Sequence, residues 1–295
     1  MDSYRDEAGY LQLLRYVLEN GDEKKTRNGI VLSCFGKMIS FYDIKDKFPI
    51  LTSKRVFFRG VIEELLWFLR GSIDSNELRD KKVNIWNGNS SREYLDSIGL
   101  NHYREGELGP VYGWQWKSFG KKYKSNENGF DQIKYVIEEL LKPENSRRAV
   151  ITGWNPSQLH EMALPPCHIL YVFYKDKNGL HCSVSMRSTD LFLGLPFNIT
   201  SVSVLVHIIA KVLHMKPHGI SINMTDLHIY KEHIDGVNEQ LQNNIEKSPV
   251  LEITKECPDL DSSIDEKMKW IESLRYDDFS LNDYKHNGTI NAPMK

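Results

Sequence analysis

The chain has 295 residues, of which 40% are hydrophobic and 26% are charged, and its formal net charge is −2. These values are typical of a globular protein with a buried core and argue against extended disorder. They also exclude the strongly basic surface of a general nucleic-acid binder, although a few convergent arginines can still hold a small anion.

The chain has four widely spaced cysteines, Cys34, Cys167, Cys182 and Cys257. None forms a C-x-x-C pair, so we expect no zinc site. The N-terminus lacks the apolar segment of a signal peptide. The longest apolar stretch, residues 202–213, is interrupted by His207 and Lys211, so no membrane span is expected. We therefore expect a cytoplasmic protein with free thiols and no metal.

Hydrophobic periodicity predicts helices and strands in irregular alternation. Apolar residues at helical spacing predict helices over residues 7–19, 60–70, 129–142, 202–213 and 263–274. Runs of β-forming residues predict strands over residues 149–154, 168–174, 180–186 and 220–227, and a strand or hairpin over residues 30–42, around Gly36. The polar residues 117–128 predict a surface loop. This pattern predicts a single α/β domain over residues 1–295, built on a large mixed, twisted sheet flanked by helices.

A carboxylate lies within the apolar helix predicted over residues 60–70. At helical spacing Glu64 shares a stripe with Val61 and Phe68, whereas Glu63 is expected to face solvent. For a lone glutamate, a position at the edge of the apolar face is the commoner case. The alternative is a partly buried carboxylate with a raised pKa, suited to proton transfer. The residues alone leave both interpretations open.

Two prolines precede Cys167 in the segment Leu-Pro-Pro-Cys-His of residues 164–168. They exclude a helix and would present the thiol at the start of the next strand. A buried structural cysteine is the commoner case. A nucleophilic thiolate would need a nearby positive charge to lower its pKa, and Arg187 at the end of a neighbouring strand is our candidate.

Three other polar segments are weak signals individually. Arg147 and Arg148 precede a predicted strand, as a solvated pair or as an anion clamp. Gly194 permits close backbone approach, and Asn198 would either cap the following helix or pair its amide with a nucleobase edge. Residues 226–230, Asp-Leu-His-Ile-Tyr, would place three polar side chains on one face of an extended segment, most commonly as a satisfied strand edge.

In this order, the segments resemble the thymidylate synthase family over roughly residues 8–294. The matching segments are Arg27-Asn-Gly, residues 48–55, 63–67, 85–86 with Asn89, 108–116, 147–148, 154–156, 164–168, 187–190, 193–199 and 226–230. The most specific are Pro-Pro-Cys-His and Leu-Gly-x-Pro-Phe-Asn.

The resemblance implies methylation of dUMP to dTMP, with 5,10-methylenetetrahydrofolate as donor of the carbon and the hydride, giving dihydrofolate. In the family a cysteine adds to C6, and C5 then attacks the methylene group of the folate. Loss of the C5 proton gives an exocyclic methylene that a hydride from tetrahydrofolate reduces. Covalent addition divides a difficult substitution into easier steps, and no metal is required. The resemblance also implies a homodimer formed sheet against sheet.

Roles follow by position from the same resemblance. Cys167 matches the nucleophile, Glu64 the carboxylate that moves protons near O4, and Asn198 the amide that reads O4 and N3–H of uracil. Tyr112 and His168 match groups around the C5 proton and the water network. The remaining implied dUMP contacts are Arg27, Arg187 and Ser188 for the phosphate, Arg147 and Arg148 donated across the dimer interface, and His228 and Tyr230 for the ribose. The implied folate contacts are Trp86, Asn89, Asp190, Leu193, Gly194, Phe197, Phe57 and Met294.

Several positions depart from the family pattern, namely Asn87, Ser90, Met186, Thr225 and Leu227. Met186 stands where glutamine usually precedes the Arg-Ser pair. The segment after Arg27 is also one residue shorter than usual.

The chain ends Ala292-Pro-Met-Lys295, one residue short of the apolar end that closes over the folate in the family. We expect the charged end to leave ternary-complex formation intact but to reduce kcat, because closure would be weaker. Restoring an apolar final residue and measuring kcat tests this, and an unchanged kcat would contradict it.

Three alternatives stay open at this point. A related nucleotide hydroxymethylase would add water in place of hydride, and its cytosine-preferring members favour aspartate at the position of Asn198. A catalytically impaired homologue would instead bind RNA in a regulatory role. A purely structural dimer would make the ordered polar set a coincidence.

Overall fold

The computed structural model describes residues 4–294. The strands within this range are β1 Tyr4–Arg5, β2 Asp22–Thr26, β3 Gly29–Tyr42, β4 Val150–Thr152, β5 His168–Asp176, β6 Gly179–Asp190, β7 Pro217–Tyr230, β8 Val250–Ile253 and β9 Phe279–Asn282. The helices are α1 Asp6–Asn20, α2 Phe58–Leu69, α3 Asn76–Asp80, α4 Asn87–Ser90, α5 Arg92–Ser97, α6 Tyr112–Ser118, α7 Gln132–Leu141, α8 Gly194–Val212, α9 Ile234–Gln240 and α10 Ile264–Glu272. Short 3₁₀ turns span Pro156–Glu161, Lys231–His233 and Tyr276–Asp278.

Seven of these strands form one mixed sheet, in the order β1-β3-β7-β6-β5-β4, with β2 paired to β3. β6 and β7 are parallel, whereas β3 pairs with β7, and β5 with β6, in antiparallel fashion. Strands β8 and β9 form a separate antiparallel pair. The prediction of a large mixed sheet flanked by helices is confirmed. That the whole chain is a single domain stays a prediction.

The predicted strand over residues 30–42 is one continuous strand, β3, and its pairing with β7 keeps the same register on both sides of Gly36. Gly36 has φ +67°, a left-handed conformation that glycine adopts without steric cost. The hairpin that includes β3 is closed instead by β2, a wholly polar strand that the hydrophobic pattern did not predict.

The two faces of the sheet differ in chemistry. One face is apolar and buried, and a row across four neighbouring strands consists of Phe41, Ile220, Cys182 and Phe173. The next row, on the opposite face, consists of Ser40, Ser221, Ser183 and Val172. On that second face Tyr42 and Tyr174 are 43% and 60% exposed. Side chains alternate between faces along each strand, so the sheet has one core side and one mixed, partly open side.

Helix α8 is the central helix of the core, and it packs against α2, β6 and β7. It begins at Gly194, eight residues before the predicted start at residue 202, and includes Pro196 in its first turn. Proline is tolerated there because the first N–H groups of a helix have no intrahelical partner. By length and composition α8 could cross a membrane, but 78% of its most apolar window is buried inside the protein.

Helix α2 has almost no open side, because α3, α8 and α10 all pack against it. The expectation that Glu63 faces solvent is therefore wrong. Its side chain is 6% exposed, and its Oε2 atom lies 2.6 Å from Nζ of Lys81. Sequence periodicity gives one helix face correctly but does not show how many neighbours cover the others.

The surface loop predicted over residues 117–128 is only partly correct. Lys117 belongs to α6, and its ammonium group forms ion pairs with Asp131 and Glu272. Tyr123, within the predicted loop, is buried. The segment is polar in composition but is held against the protein by these contacts.

Candidate active site

A cavity of about 410 Å³ lies where the parallel strands β6 and β7 end. The predicted site residues that line it are Arg27, Asn89, Cys167, Arg187, Ser188, Asp190, Gly194, Asn198, His228 and Tyr230. The topology explains this convergence, because the ends of β6 and β7, the start of β5 and the start of α8 all meet at one edge of the sheet. Ligands bind preferentially at such carboxyl edges.

Arg187 is held beside Cys167 by the two prolines that precede the cysteine. Its Nε donates to the carbonyl oxygen of Pro166 at 2.8 Å, and its Nη2 donates to that of Pro165 at 2.9 Å. The same Nη2 lies 3.9 Å from Sγ of Cys167. The arrangement places a fixed cation next to the thiol, as hypothesised from the neighbouring strands.

The pKa of the Cys167 thiol is nevertheless raised above its ordinary value. Burial is the main cause, and the positive charge of Arg187 opposes it. The effect of Arg187 on the Cys167 pKa thus has the expected direction, but burial of the thiol outweighs it. The cost of burying the thiolate exceeds what one guanidinium at 3.9 Å recovers.

Two aromatic residues organise the backbone and the imidazole next to the thiol. The hydroxyl oxygen of Tyr112 accepts a 2.6 Å hydrogen bond from the backbone N–H of Cys167. The Tyr112 ring stacks on His168 with centroids 4.3 Å apart, and His168 Nδ1 is hydrogen bonded to the Tyr171 hydroxyl. Burial lowers the pKa of His168 to about 3, so its imidazole is neutral at physiological pH.

Glu64 is a partly buried carboxylate whose proton affinity suits transfer near neutral pH. Burial raises its pKa to about 7, although the 2.8 Å hydrogen bond from Trp86 Nε1 opposes this shift. Of the two interpretations left open by the sequence, the structure supports the carboxylate with a raised pKa. Trp86, predicted to contact the folate, is buried and contacts Glu64.

Two aspartates fix local geometry at the strand ends. Oδ1 of Asp190 accepts from the backbone N–H groups of Phe192 and Leu193, which sets the turn before α8. Oδ1 of Asp226 pairs with Nδ1 of His228 at 2.9 Å. Asp190 and His228 are opposite each other in the β6–β7 register, so both reach the cavity.

Ten of the twenty predicted site residues do not line this cavity, namely Glu64, Trp86, Tyr112, His168, Leu193, Phe197, Arg147, Arg148, Phe57 and Met294. Arg147 and Arg148 are exposed just before the edge strand β4. Phe57 lines a separate cavity of about 490 Å³. Met294 is 64% exposed, and Lys295 lies outside the described residues. The contact of Met294 with folate stays a prediction.

Leu193 and Phe197 are partly buried and pack against the core. Phe197 approaches the other predicted folate contact, Phe57, because both rings lie against Gly60. A Cβ atom added to Gly60 would lie 2.6 Å from Phe57 Cδ1 and 3.2 Å from Phe197 Cζ. Glycine at this position therefore lets the two rings approach α2.

Sequence reasoning missed several residues of the cavity wall. Lys24 is on the polar strand β2, and it reaches Asp226 through Ser33, with distances of 3.1 Å and 3.3 Å. The sequence pattern placed Asp226 on the same face of an extended segment as His228 and Tyr230, but Asp226 was not predicted as a site residue. To predict Lys24 and Asp226 as site residues, one would need to know that β2 pairs with β3. The polar sequence of β2 does not indicate this pairing.

Comparison with known proteins gives a consistent assignment. A family model described as thymidylate synthase matches residues 8–295. A thymidylate synthase of human herpesvirus 8 is 43% identical over 98% of this chain and 84% of its own length. That of Saccharomyces cerevisiae is 40% identical over 98% of this chain and 97% of its own length.

A bifunctional dihydrofolate reductase-thymidylate synthase of Arabidopsis thaliana is 43% identical over 98% of this chain. The chain spans about half the length, 50%, of that bifunctional relative. Because the family model covers nearly the whole chain and the relatives align over nearly all of it, the chain belongs to the thymidylate synthase family.

Proposed function

We propose that this protein methylates dUMP to dTMP, with 5,10-methylenetetrahydrofolate as donor of both the carbon and the hydride, and releases dihydrofolate. The observation that carries the proposal is the position of Cys167 in the wall of a cavity that also contains Arg187 and Asn198. A thiol buried in apolar packing away from both would have removed its basis. Membership of the family supports the same activity.

The cavity residues suit a pyrimidine nucleotide. Arg27, Arg187 and Ser188 offer cationic and hydroxyl donors to a phosphate, which explains how a chain of net charge −2 binds a dianion. The Asn198 amide offers one donor and one acceptor to the uracil edge. At about 410 Å³, the cavity falls within the usual size of small-molecule sites.

In the proposed reaction the Cys167 thiolate adds to C6 of the uracil ring, held in place by Asn198. Glu64, with a pKa of about 7, both accepts and donates protons near neutral pH. Tyr112 fixes the backbone at Cys167 and stacks on His168, whose neutral imidazole can relay a proton without carrying a charge. Covalent attachment also holds the ring during the later steps.

The residues around Asp190 fit a folate. The Asp190 carboxylate lines the cavity and can accept hydrogen bonds from a pterin ring. A Cβ atom added to Gly194 would meet one atom of the described residues within 4 Å, Asp190 Cβ at 3.5 Å. The fold itself therefore does not require glycine there, and the space is left to a ligand. When bound, the folate supplies the one-carbon group and the hydride.

We also propose a homodimer in which the mixed face of the sheet packs against its copy. The exposed Tyr42 and Tyr174 on that face would be buried by such contact. Arg147 and Arg148 are exposed and away from the cavity of their own chain, which is consistent with donation to the partner's phosphate. Cytoplasmic location stays a prediction.

Subunit complementation tests this arrangement. The variants Arg147→Ala and Cys167→Ser should each be inactive alone. When they are unfolded together and refolded, roughly half of the dimers are mixed, and each mixed dimer has one intact site, so roughly a quarter of wild-type activity should return. Recovery would be measured as dUMP turnover. No recovery in a verified mixed dimer would contradict donation of Arg147 across the interface.

Product analysis tests the proposed reaction. Purified protein, dUMP and 5,10-methylenetetrahydrofolate should give dTMP and dihydrofolate in equal amounts, measured by mass spectrometry and absorbance. A hydroxymethylated nucleotide with tetrahydrofolate as the second product would instead identify a hydroxymethylase. No turnover, together with RNA retention in a filter-binding assay, would indicate the impaired regulatory homologue.

A further inference from the structure

The amide of Asn198 has an unusual partner in this chain. Its Nδ2 atom lies 3.9 Å from the sulfur of Met186, a contact consistent with a weak N–H···S hydrogen bond. Met186 is buried on β6, four residues before the cavity residue Asp190, and Asn198 lies in the second turn of α8 and lines the cavity. The thioether thus contacts the amide from the core side of the cavity wall.

A thioether sulfur accepts a hydrogen bond but cannot donate one. It therefore distinguishes the two ends of the Asn198 amide. With the nitrogen toward Met186, one N–H is satisfied by the sulfur, and the other N–H and Oδ1 are free for a ligand. If the amide rotated by half a turn, the N–H···S bond would be lost and Oδ1 would face the lone pairs of the sulfur.

The orientation of this amide decides which base it can read. The uracil edge presents the acceptor O4 next to the donor N3–H, whereas the cytosine edge presents an amino donor next to the acceptor N3. An asparagine matches either edge, but only by exchanging the positions of its oxygen and nitrogen.

We propose that the sulfur of Met186 fixes the Asn198 amide in the orientation that reads uracil, which makes Met186 a positioning residue for base selection. The inference rests on the proposed function, because it takes Asn198 as the base-reading residue. Sulfur is a weak acceptor, so the expected contribution to selectivity is a factor of about three to ten.

The test compares Met186→Leu with Met224→Leu. Both replacements remove a buried sulfur at similar volume, and the two methionines are direct neighbours in the β6–β7 register. Dissociation constants for dUMP and dCMP would be measured by calorimetry without folate. We expect the ratio of the dCMP constant to the dUMP constant to fall about three- to tenfold in Met186→Leu and to stay unchanged in Met224→Leu.

An unchanged ratio in Met186→Leu, or an equal fall in both variants, would overturn the inference. The ratio cancels any general loss of active protein, so a merely structural role would not move it. If Met186→Leu does not fold, Met186→Ile takes its place. Isoleucine also lacks the sulfur acceptor, and its β-branched side chain is favourable in a strand. If wild-type protein methylates dUMP but the ratio does not respond, only this inference fails. If wild-type protein neither binds nor converts dUMP, the proposed function fails as well.

Discussion

Replacement of Cys167 by serine is expected to lower the rate of dTMP formation by about 10³-fold or more, because a hydroxyl is a far weaker nucleophile than a thiolate at neutral pH. Binding of dUMP should be retained, since Arg187, Ser188 and Asn198 are unchanged. The measurement is steady-state dihydrofolate release together with calorimetric titration of dUMP.

Intact mass spectrometry tests the same residue directly. With 5-fluoro-dUMP and 5,10-methylenetetrahydrofolate, the wild-type protein should gain the mass of both molecules, because fluorine cannot leave C5 as a proton does and the adduct is trapped. The Cys167→Ser protein should gain nothing. Cys257→Ser is the matched control, because Cys257 contacts the Lys211 carbonyl oxygen and does not line the cavity. A mass gain that persists in Cys167→Ser would reject Cys167 as the nucleophile.

Replacement of Glu64 by glutamine is expected to lower kcat by about 10²- to 10⁴-fold, the range typical of a lost general acid–base group. In the wild type, the pH profile of kcat/KM should contain an ionisation near the Glu64 pKa of about 7. Any residual activity of Glu64→Gln should lack that ionisation. Glu63→Gln is the control, since Glu63 pairs with Lys81, whereas Glu64 accepts from Trp86, and this variant should keep the ionisation while losing stability.

The same substitution should change how stability depends on pH. The folded-state pKa of Glu64, about 7, lies above the ordinary value of 4.5, so the folded protein holds a proton that the unfolded chain releases. The stabilising contribution is complete below 4.5 and is lost as the pH rises through about 7. Because the Glu64 side chain is only partly buried, the loss amounts to about 1–3 kcal/mol. Thermal unfolding of Glu64→Gln should lack this decrease, and equal pH slopes in both proteins would contradict the assignment.

The outcome for Glu63 and Glu64 shows what periodicity can predict. Helical spacing placed Glu64 on one stripe with Val61 and Phe68, and its carboxylate accepts a hydrogen bond from Trp86 within the packed structure. The spacing failed for Glu63, because Lys81 at the end of α3 pairs with the carboxylate and α10, from a distant part of the chain, also packs against α2. A helical wheel contains no information about such neighbours, and only the packed structure supplies it.

For Cys167, too, the sequence was sufficient for one property of the site and insufficient for another. Adjacent strands were sufficient to predict that Arg187 lies beside the thiol. The net pKa was not predictable, because it depends on how much surrounding protein removes water from the sulfur. The start of α8 was missed because glycine and proline normally interrupt helices, yet both are tolerated in a first turn.

The proline carbonyls that hold Arg187 have a consequence for molecular recognition. An unrestrained arginine side chain loses rotational entropy whenever it grips a ligand, and that loss weakens association. Here two backbone acceptors have already immobilised the guanidinium during folding, so an arriving anion meets a preorganised cation. A lysine could not reproduce this, because a single ammonium lacks the planar fork that spans two carbonyls and the sulfur together.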